Sequence, residues 1–444
     1  MLNIFNKVKF LKKIEKTYRI SLFLPSTVSF AMNNRNHEGQ VANGNININN
    51  AANNSERNIV YNNIINKINE KFNNPDLKFK FKEVLGKGAF GEVILVERGS
   101  SEFALKITKN TIGDKNELDV FLKLKKGIVG CEGYIELKGN NKQEKKRLVL
   151  ILEYCKYGNI HNFMKNIIKR STMSETFICY MAGQVVNSLK FMHSCKFVHL
   201  DLKPGNILIN NYLNFKLSDF STTLKYKHKM KNYIELGSGP YMAPEVLKES
   251  KIGNSKNFFK PDVFSLGVMC YRLFTMDYPY FKVGNTYVDR NVEIDYLTCI
   301  ERNNINLQNL EDFEASDVFK DFLLKCLEKD VKDRWNIYQL EKHPFISILY
   351  KIILDEKENV YNAEIFLYNI MFDHIKAYND ECKKYELKNG ILTLKNNNVE
   401  LGNKDLGDII DNNFVHKKDK IKDVLKKNLK EKRSKKNKKY LKEK

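Results

Sequence analysis

The fold is decided by one stretch of the sequence, HLDLKPGN at residues 199–206, together with the tripeptide DFS at residues 219–221. The run NFKLS at residues 214–218 precedes the tripeptide and is typical of a short strand. Two carboxylates and one amide, from Asp201, Asp219 and Asn206, can orient a hydroxyl group and hold divalent cations through oxygen ligands. These three side chains are the first candidates for chemistry.

A glycine-rich turn lies upstream, GKGAFGEV at residues 86–93, and an apolar run precedes it. The apolar residues that follow predict a second strand, so two strands would flank the turn. Gly86, Gly88 and Gly91 have no Cβ, and their backbone N–H groups can therefore approach phosphate oxygens closely. The pattern alone is a weak signal, because glycine turns without a ligand are common.

Further motifs follow in a fixed order. The run FALKI at residues 103–107 predicts the next strand and places Lys106 on it. Downstream are GSGPYMAPE at residues 237–245, DVFSLGV at residues 262–268 and HPF at residues 343–345. The order and spacing of all these motifs are more specific than any one of them.

Together, the motifs resemble those of the eukaryotic protein kinase family, serine/threonine type. That family carries a G-x-G-x-x-G loop, V-A-I-K, H-R-D with a following Asn, D-F-G and A-P-E, in this order. The resemblance covers about Leu77 to Ile346. It implies an α+β, bilobal protein kinase fold, with a small β-rich N-lobe and a larger helical C-lobe.

The motif order gives coarse element positions. Strands are predicted near residues 78–85, 92–97, 102–108, 134–138 and 147–153. One helix is predicted near residues 114–126, with Gly127 as its C-cap. The resemblance also implies that Asp262 anchors the catalytic loop and that Glu245 pairs with Arg334.

The resemblance assigns roles to individual residues. Asp201, Lys203 and Lys106 are the expected catalytic residues, with Asp201 accepting the proton of the substrate hydroxyl. Asn206 and Asp219 are the expected magnesium ligands. The residues expected to form the ATP site are Gly86, Gly88, Gly91, Val93, Ala104, Lys106, Glu117, Leu152, Glu153 and Cys155.

Within that set, Val93 and Ala104 are expected to act mainly through packing. Leu152 would be the gatekeeper, and the backbone from Glu153 to Cys155 would be the hinge that holds the adenine. Glu117 is the candidate ion-pair partner of Lys106, although it follows that lysine by only 11 residues, fewer than is usual in the family.

The sequence thus predicts an ATP- and Mg²⁺-dependent serine/threonine protein kinase that acts on protein substrates. Two residues favour the serine/threonine class over the tyrosine kinases. Lys203 stands two positions after the catalytic Asp, and Ser238 lies in the segment before Ala243-Pro244-Glu245, a pattern that resembles serine/threonine kinases. The alternative is a pseudokinase scaffold, which loss of the lysine or of either aspartate would favour; none is lost. A kinase of small molecules is a second alternative, but such enzymes generally lack the A-P-E segment.

Two departures from the family pattern predict regulation and turn geometry. Leu200 replaces the usual Arg, which removes the partner of an activation-loop phosphate. Residues 224–236 contain no Ser or Thr, so activity is expected without phosphorylation of this loop. Ser221 replaces the usual Gly and penalises φ > 0, so the turn is expected to flip outward less readily.

A third departure concerns substrate choice. Kinases that select an arginine before the phosphorylated residue use carboxylates at three places. The matching positions here are Asn159, Gly205 and Arg272, so an upstream arginine is expected to give no advantage.

Three segments are predicted. Residues 1–76 are a basic N-terminal segment with an Asn-rich tract at 33–56 that is expected to be a disordered linker. Residues 77–346 form the kinase domain. Residues 347–444 are a helical extension to about Tyr385, followed by a basic tail.

The formal charge of +22 is concentrated at the ends. Residues 417–444 carry 15 basic and 4 acidic side chains, a net +11, and residues 1–32 carry 6 and 1, a net +5. A nucleic-acid substrate is not expected, because its enzyme would carry basic charge around the cleft. The tails are predicted either to be solvated or to contact an anionic membrane or the nuclear-import machinery.

The sequence predicts an intracellular protein, cytoplasmic or nuclear. Its eight cysteines are scattered, without a C-x-x-C motif, which fits reduced thiols. The apolar segment at residues 20–32 is too short to span a membrane and contains Pro25.

Overall fold

The computed structural model describes ten stretches of the chain, which are residues 59–72, 78–88, 91–108, 112–137, 147–168, 172–226, 237–248, 257–280, 296–360 and 363–395. The basic segment 1–32, the Asn-rich tract 33–56 and the basic tail 417–444 lie outside them. The chain divides into two units, Met1–Val60 and Tyr61–Lys444, and apart from residues 59 and 60 the features below belong to the second.

The N-lobe contains an antiparallel sheet of five strands with a helix before it and a helix inserted into it. Its elements are α1 (residues 59–69), β1 (Lys80–Gly88), β2 (Gly91–Arg98), β3 (Ser101–Thr108), α2 (Ile112–Lys123), β4 (Cys131–Leu137) and β5 (Arg147–Glu153). The strand order is β1-β2-β3-β5-β4. The five predicted strands are confirmed, with ends that differ by up to three residues.

Alternate side chains along the strands of this lobe form a core that is separate from the core of the C-lobe. Ile94 and Val96 on β2, and Leu105 and Ile107 on β3, are buried on one face of the sheet. Apolar side chains of α1 complete this core on the same face.

The predicted helix end at Gly127 is wrong. α2 ends at Lys123, four residues earlier, and Gly127 lies in the turn before β4. Its φ is +74°, and a Cβ added there would lie 2.3 Å from Ser188 Oγ. The glycine is therefore required by the close approach of the turn to the helix that carries Ser188, not by helix capping.

The C-lobe is mainly helical, as predicted, with short strands around the loops. Its elements are α3 (Ile160–Asn162), continued by a π-helical stretch (Phe163–Ile168), α4 (Glu175–Ser194), β6 (Phe197–Val198), β7 (Ile207–Ile209), β8 (Phe215–Leu217), β9 (Leu224–Lys225), α5 (Pro244–Leu247), α6 (Lys260–Thr275), α7 (Tyr296–Arg302), α8 (Leu307–Asp312), α9 (Asp317–Cys326) and α10 (Ile337–Lys342). β6 pairs with β9, and β7 with β8. The predicted bilobal α+β fold is confirmed.

The segment after Ile346 is helical and then forms a hairpin. A π-helical stretch (Phe345–Leu349) leads into α11 (Tyr350–Asn359), α12 (Ala363–Met371) and α13 (Lys376–Cys382). The antiparallel strands β10 (Tyr385–Lys388) and β11 (Ile391–Leu394) follow. The described helices thus reach Cys382, and a hairpin stands at the end of the segment that was predicted to be helical to about Tyr385.

This C-terminal extension, residues 347–395, packs against α4 and α9. Asp373 Oδ1 accepts a hydrogen bond from Thr176 N at 3.1 Å, in the first turn of α4. Tyr378 donates to the buried Glu175 at 2.7 Å, and Leu387 N donates to Asp317 Oδ2 at 3.1 Å. Extension and C-lobe therefore share one apolar core.

None of the described helices has the length and apolar character needed to cross a lipid bilayer. All eight cysteines are free.

Candidate active site

The loop between β6 and β7 carries HLDLKPGN and is held by one buried carboxylate. Asp262 on α6 accepts hydrogen bonds from the backbone N–H groups of His199 and Leu200, each at 2.9 Å. Its Oδ2 also lies 2.8 Å from His193 Nε2. Burial alone would raise the pKa of Asp262, but the bonds from His193 and the His199 backbone lower it. Asp262 therefore anchors the loop, as predicted.

The side chain of Asp201 lies at the centre of this loop. Its Oδ2 accepts hydrogen bonds from Lys203 Nζ and Asn206 Nδ2, both at 2.8 Å. Its Oδ1 is buried and has no hydrogen-bond partner among the described residues. A buried carboxylate oxygen without a donor is costly, so Oδ1 is an acceptor site that an incoming hydroxyl group can satisfy.

Asp219 follows β8 and faces the same cleft. It has a φ of +58°, so the strained residue of the turn is Asp219 and not Ser221. Its Oδ1 accepts from Lys106 Nζ at 3.1 Å and from Ser221 Oγ at 3.0 Å. Burial would raise the pKa of Asp219, but these bonds lower it, so the group is an anion near neutral pH.

Lys106 connects the two lobes. Its Nζ lies 2.7 Å from Glu117 Oε1 on α2, so the predicted ion pair is present despite the short spacing of the two residues. Burial would lower the pKa of Lys106, but Glu117 and Asp219 raise it. The ammonium group is therefore charged and lies between two carboxylates.

Three buried aromatic rings set the position of α2 relative to the loop. Phe121 on α2 makes an edge contact with Phe220 at 5.3 Å between ring centroids. Phe220 in turn lies 5.4 Å from the ring of His199. This row of rings places Glu117 within reach of Lys106.

The glycine-rich strands leave an open surface. β1 and β2 pair up to Gly88 and Gly91. Among the described residues, a Cβ added at Gly86 would meet no atom within 4 Å, and one at Gly88 would meet only the Gly91 carbonyl oxygen, at 4.0 Å. Packing therefore does not demand glycine at these two positions, and the free space fits a ligand that contacts the backbone.

The predicted adenine pocket is walled by paired strands. Val93 is opposite Lys106, and Ala104 is opposite Leu152, so all four lie where β2, β3 and β5 run side by side. Ala104 and Leu152 are buried. The pocket wall is thus apolar next to one charged amine.

In the predicted hinge, from Glu153 to Cys155, the Glu153 carboxylate bonds two neighbouring segments of the chain. Glu153 Oε2 accepts from Gly130 N at 3.0 Å, and Oε1 accepts from Asn210 at 3.0 Å. Burial raises the pKa of the Cys155 thiol to about 12, so this thiol is protonated.

The segment before Glu245 meets the catalytic loop. Lys203 Nζ donates to Ser238 Oγ at 2.6 Å, the contact predicted between them. Arg334 pairs with Glu245 through two bonds of 2.6 and 3.0 Å, deep in the C-lobe. The predicted ion pair is therefore present. Residues 227–236, in which no Ser or Thr occurs, lie outside the described residues.

Three residues that depart from the family pattern, Leu200, Asn159 and Arg272, lie in the described part of the structure. Leu200 is buried at a φ of +65°. Asn159 caps α3, its Oδ1 accepting from Asn162 N at 2.8 Å. The guanidinium of Arg272 lies 4.4 Å from the ring centroid of Tyr278.

Two groups near the site were missed from the sequence. The Ser221 hydroxyl bonds Asp219, a contact that the usual glycine cannot make. Tyr61 on α1 donates a hydrogen bond at 2.6 Å to Oε2 of Glu92, the residue that follows Gly91. An apolar stripe on α1 was a signal for this helix, because Tyr61, Ile65 and Ile68 follow helical spacing.

The fold and the site define a class, a bilobal α+β protein with the cleft of a phosphotransferase. Residues 79–346 match the family model described as protein kinase domain, and the chain belongs to this family.

Relatives named as serine/threonine kinases come from Dictyostelium discoideum. The chain is 31% identical over 277 residues to serine/threonine-protein kinase pakE, which covers 61% of this chain and 28% of that protein. It is 30% identical over 299 residues to serine/threonine-protein kinase 4 homolog A, covering 66% and 61%. It is 28% identical over 277 residues to serine/threonine-protein kinase dst4, and the match covers 62% of this chain and 54% of that protein. The chain thus spans between about a quarter and about three fifths of these relatives.

Proposed function

We propose that the protein is an active serine/threonine protein kinase that transfers the γ-phosphate of ATP to hydroxyl groups of protein substrates. The observation that carries the proposal is the pairing of Asp201 with Lys203 and Asn206, which leaves Asp201 Oδ1 as a buried acceptor without a partner among the described residues. The names of the relatives support the serine/threonine class.

Each side chain has a distinct part in this chemistry. Asp201 Oδ1 orients the substrate hydroxyl and accepts its proton as the new oxygen–phosphorus bond forms and the bond between the γ-phosphorus and the leaving ADP breaks. Lys106 binds the α- and β-phosphates, and Glu117 holds its ammonium group in place. Lys203, fixed between Asp201 and Ser238, places a positive charge next to the transferred group.

The residues present fit magnesium. Asn206 uses its amide nitrogen for two bonds to Asp201, so its oxygen is the atom suited to a metal. Asp219 is held as an anion, and oxygen ligands of this kind are those that magnesium prefers. When bound, magnesium with ATP would supply the positive charge that offsets the negative charge of the phosphates.

The decisive test is phosphate transfer from radiolabelled ATP to a degenerate serine/threonine peptide library. Asp201→Asn is expected to reduce transfer by about 10²–10⁴-fold, because it removes the proton acceptor, and Asp219→Asn should lose a comparable amount. Asp355→Asn, an exposed position on α11, is the matched control. A wild-type protein that binds ATP but transfers no phosphate would favour the pseudokinase scaffold.

We further propose activity without phosphorylation of the activation loop, since Leu200 cannot bind a phosphate. Phosphatase treatment should leave the rate unchanged. A loss of activity that returns on phosphorylation of residues 224–236 would contradict this.

We also propose that the turn at residues 219–221 resists outward flipping, since Ser221 Oγ bonds Asp219. Inhibitors that require the flipped turn should bind weakly, and Ser221→Gly should strengthen their binding. Equal affinity for both proteins would remove the reason for this claim.

For substrate choice, we propose no preference for an arginine before the phosphorylated residue. Asn159 is committed to a helix cap, and Arg272 would repel a second guanidinium. Strong selection for such an arginine in the peptide library would refute the proposal.

The basic ends remain candidate contacts. We propose that residues 417–444 bind either anionic lipid or the nuclear-import machinery, within the cytoplasm or nucleus. Replacing Lys432, Arg433, Lys435 and Lys436 with Ser should weaken binding to phosphatidylserine vesicles or reduce nuclear accumulation; if it changes neither, the tail is only a solvated segment.

A further inference from the structure

Helix α1 precedes the part of the chain that matches the kinase family, which begins at residue 79. Its apolar side chains Tyr61, Ile65 and Ile68 are buried against the N-lobe sheet. The Tyr61 ring stacks on Phe81 of β1, with 5.5 Å between ring centroids. The first turn of this helix therefore lies over the strands that carry the glycine-rich loop.

Three polar groups connect α1 to the ends of these strands. Tyr61 donates its hydroxyl hydrogen to Glu92 Oε2 at 2.6 Å. Lys87 Nζ donates to Glu92 Oε1 at 2.9 Å and lies 5.5 Å from the Tyr61 ring centroid. Lys87 stands between Gly86 and Gly88, and its register partner across the sheet is Glu92.

The Tyr61 side chain is itself fixed, with only 2% of its surface exposed. It therefore provides a rigid donor for a carboxylate that adjoins Gly91. Glu92 is held on one side by Tyr61 and on the other by Lys87. Both strand ends next to the loop are thus joined to α1 through one carboxylate.

We propose that Tyr61 is a positioning residue for the glycine-rich loop, acting through Glu92 and Lys87. It holds the two strand ends at Gly88 and Gly91 in the arrangement in which the backbone there receives the phosphates of the nucleotide. A loop ordered in advance loses less conformational freedom on binding, and the affinity for the phosphates rises accordingly. This inference rests on the proposed function, since it assumes that the loop binds ATP.

The test compares ATP with adenosine, which lacks the phosphates. In the full chain, Tyr61→Phe keeps the ring and removes the hydroxyl. The Kd for ATP should rise about ten-fold, which corresponds to the weaker end of the range for one hydrogen bond to a charged group. The Kd for adenosine and the KM for a peptide substrate should not change.

Two further variants complete the experiment. Tyr134→Phe, in the same lobe with a ring that is 46% exposed, should leave every constant unchanged. Glu92→Ala should weaken ATP binding, and adding Tyr61→Phe to it should cause no further loss. If Tyr61→Phe does not fold, Glu92→Ala measured against ATP and adenosine carries the test.

The outcomes separate this inference from the proposed function. A wild-type chain that binds no ATP would refute the proposed function. A wild-type chain that binds ATP and transfers phosphate, with Tyr61→Phe binding ATP equally well, would overturn this inference alone. Equal weakening of ATP and adenosine would also overturn it, because the effect would then not act through the phosphates.

Discussion

Two described segments lie outside the residues that match the kinase family, and they contact the domain in different ways. α1 packs on the N-lobe core, and its Tyr61 donates a hydrogen bond beside the glycine-rich loop. Residues 347–395 instead share the main core of the C-lobe and bond to the first turn of α4. The contact of α1 thus lies next to the glycine-rich loop. The contact of the C-terminal extension lies at the first turn of α4, the helix that precedes the catalytic loop.

The difference indicates different roles for the two flanks. The C-terminal extension completes the C-lobe, so its loss should act on folding. The hydroxyl of Tyr61 contributes little to the core, so its loss should act on ligand affinity. Four predictions test this division, starting with the largest expected effect.

Ending the chain at residue 346 should severely destabilise the protein. The deletion removes buried apolar side chains of the extension, namely Leu349, Tyr350, Ile353, Phe366, Ile370, Met371, Ile375, Tyr378, Tyr385 and Leu392. Each such side chain contributes roughly 1.5–3 kcal/mol on burial, whereas a domain is stable by only about 5–15 kcal/mol in total. We expect insoluble protein or a greatly lowered Tm.

A chain that ends at residue 395 is the matched control for this deletion. It keeps the extension, so its Tm should lie well above that of the chain that ends at residue 346. A chain ending at residue 346 that melts at the same temperature would show that the family match marks the true limit of the folding unit.

Ile68→Ala tests whether α1 also contributes to folding. Ile68 is fully buried in the N-lobe core, and such substitutions cost about 2–5 kcal/mol. We expect a lower denaturant midpoint together with weaker ATP binding, whereas Tyr61→Phe should change only the binding. If Ile68→Ala leaves stability unchanged, α1 is not part of the N-lobe core in solution.

Much of this organisation could be predicted from the sequence, because chemistry fixes the motif spacing. Asp201, Asn206 and Asp219 lie on short loops between strands, and their residue types are those the reaction needs. Lys106 was found in the same way. The pairing of Lys106 with Glu117 could be named, since α2 follows β3 directly.

The remaining contacts depend on which segments meet in space. Tyr61 and Glu92 are 31 residues apart, and no local pattern shows that they touch. Gly127 was misassigned because a glycine with positive φ serves equally well in a helix cap and in a tight turn. The hairpin after α13 did have a local signal, since Asn389 and Gly390 form the dipeptide typical of tight turns.

Gly183→Ala probes the contact between α4 and the extension. A Cβ at this position would lie 2.2 Å from the Tyr350 ring, and overpacking of this kind costs about 1–3 kcal/mol. We expect a lower Tm for Gly183→Ala. When Gly183→Ala is combined with Tyr350→Ala, the loss of stability should be smaller than the sum of the two separate losses. Gly133→Ala is the control, because a Cβ there meets no atom of the described residues within 4 Å. Simple addition of the two losses would show that the ring does not press on α4.

The smallest expected effect comes from Tyr378→Phe, and it should depend on pH. Glu175 is buried, and its oxygens accept bonds from Ser316 N at 2.8 Å, Ser316 Oγ at 2.6 Å and Tyr378 Oη at 2.7 Å. Burial raises the pKa of Glu175 above its ordinary value, while these bonds partly oppose the rise. Removing the tyrosine hydroxyl leaves the carboxylate with fewer donors, at a cost of about 1–3 kcal/mol, and raises its pKa further.

The sign of the pH effect follows from that shift. A carboxyl group whose pKa is higher in the folded than in the unfolded state favours folding at low pH, and this contribution is lost as pH rises through the folded pKa. The variant, with the higher folded pKa, should lose more stability as pH rises. Its Tm deficit relative to wild type should thus be larger at pH 8 than at pH 5, whereas Tyr338→Phe, on the exposed side of α10, should show no deficit at either pH. A deficit for Tyr378→Phe that is the same at both values would mean that Glu175 does not depend on the extension for its charge, and the extension would then contribute to the C-lobe through apolar packing alone.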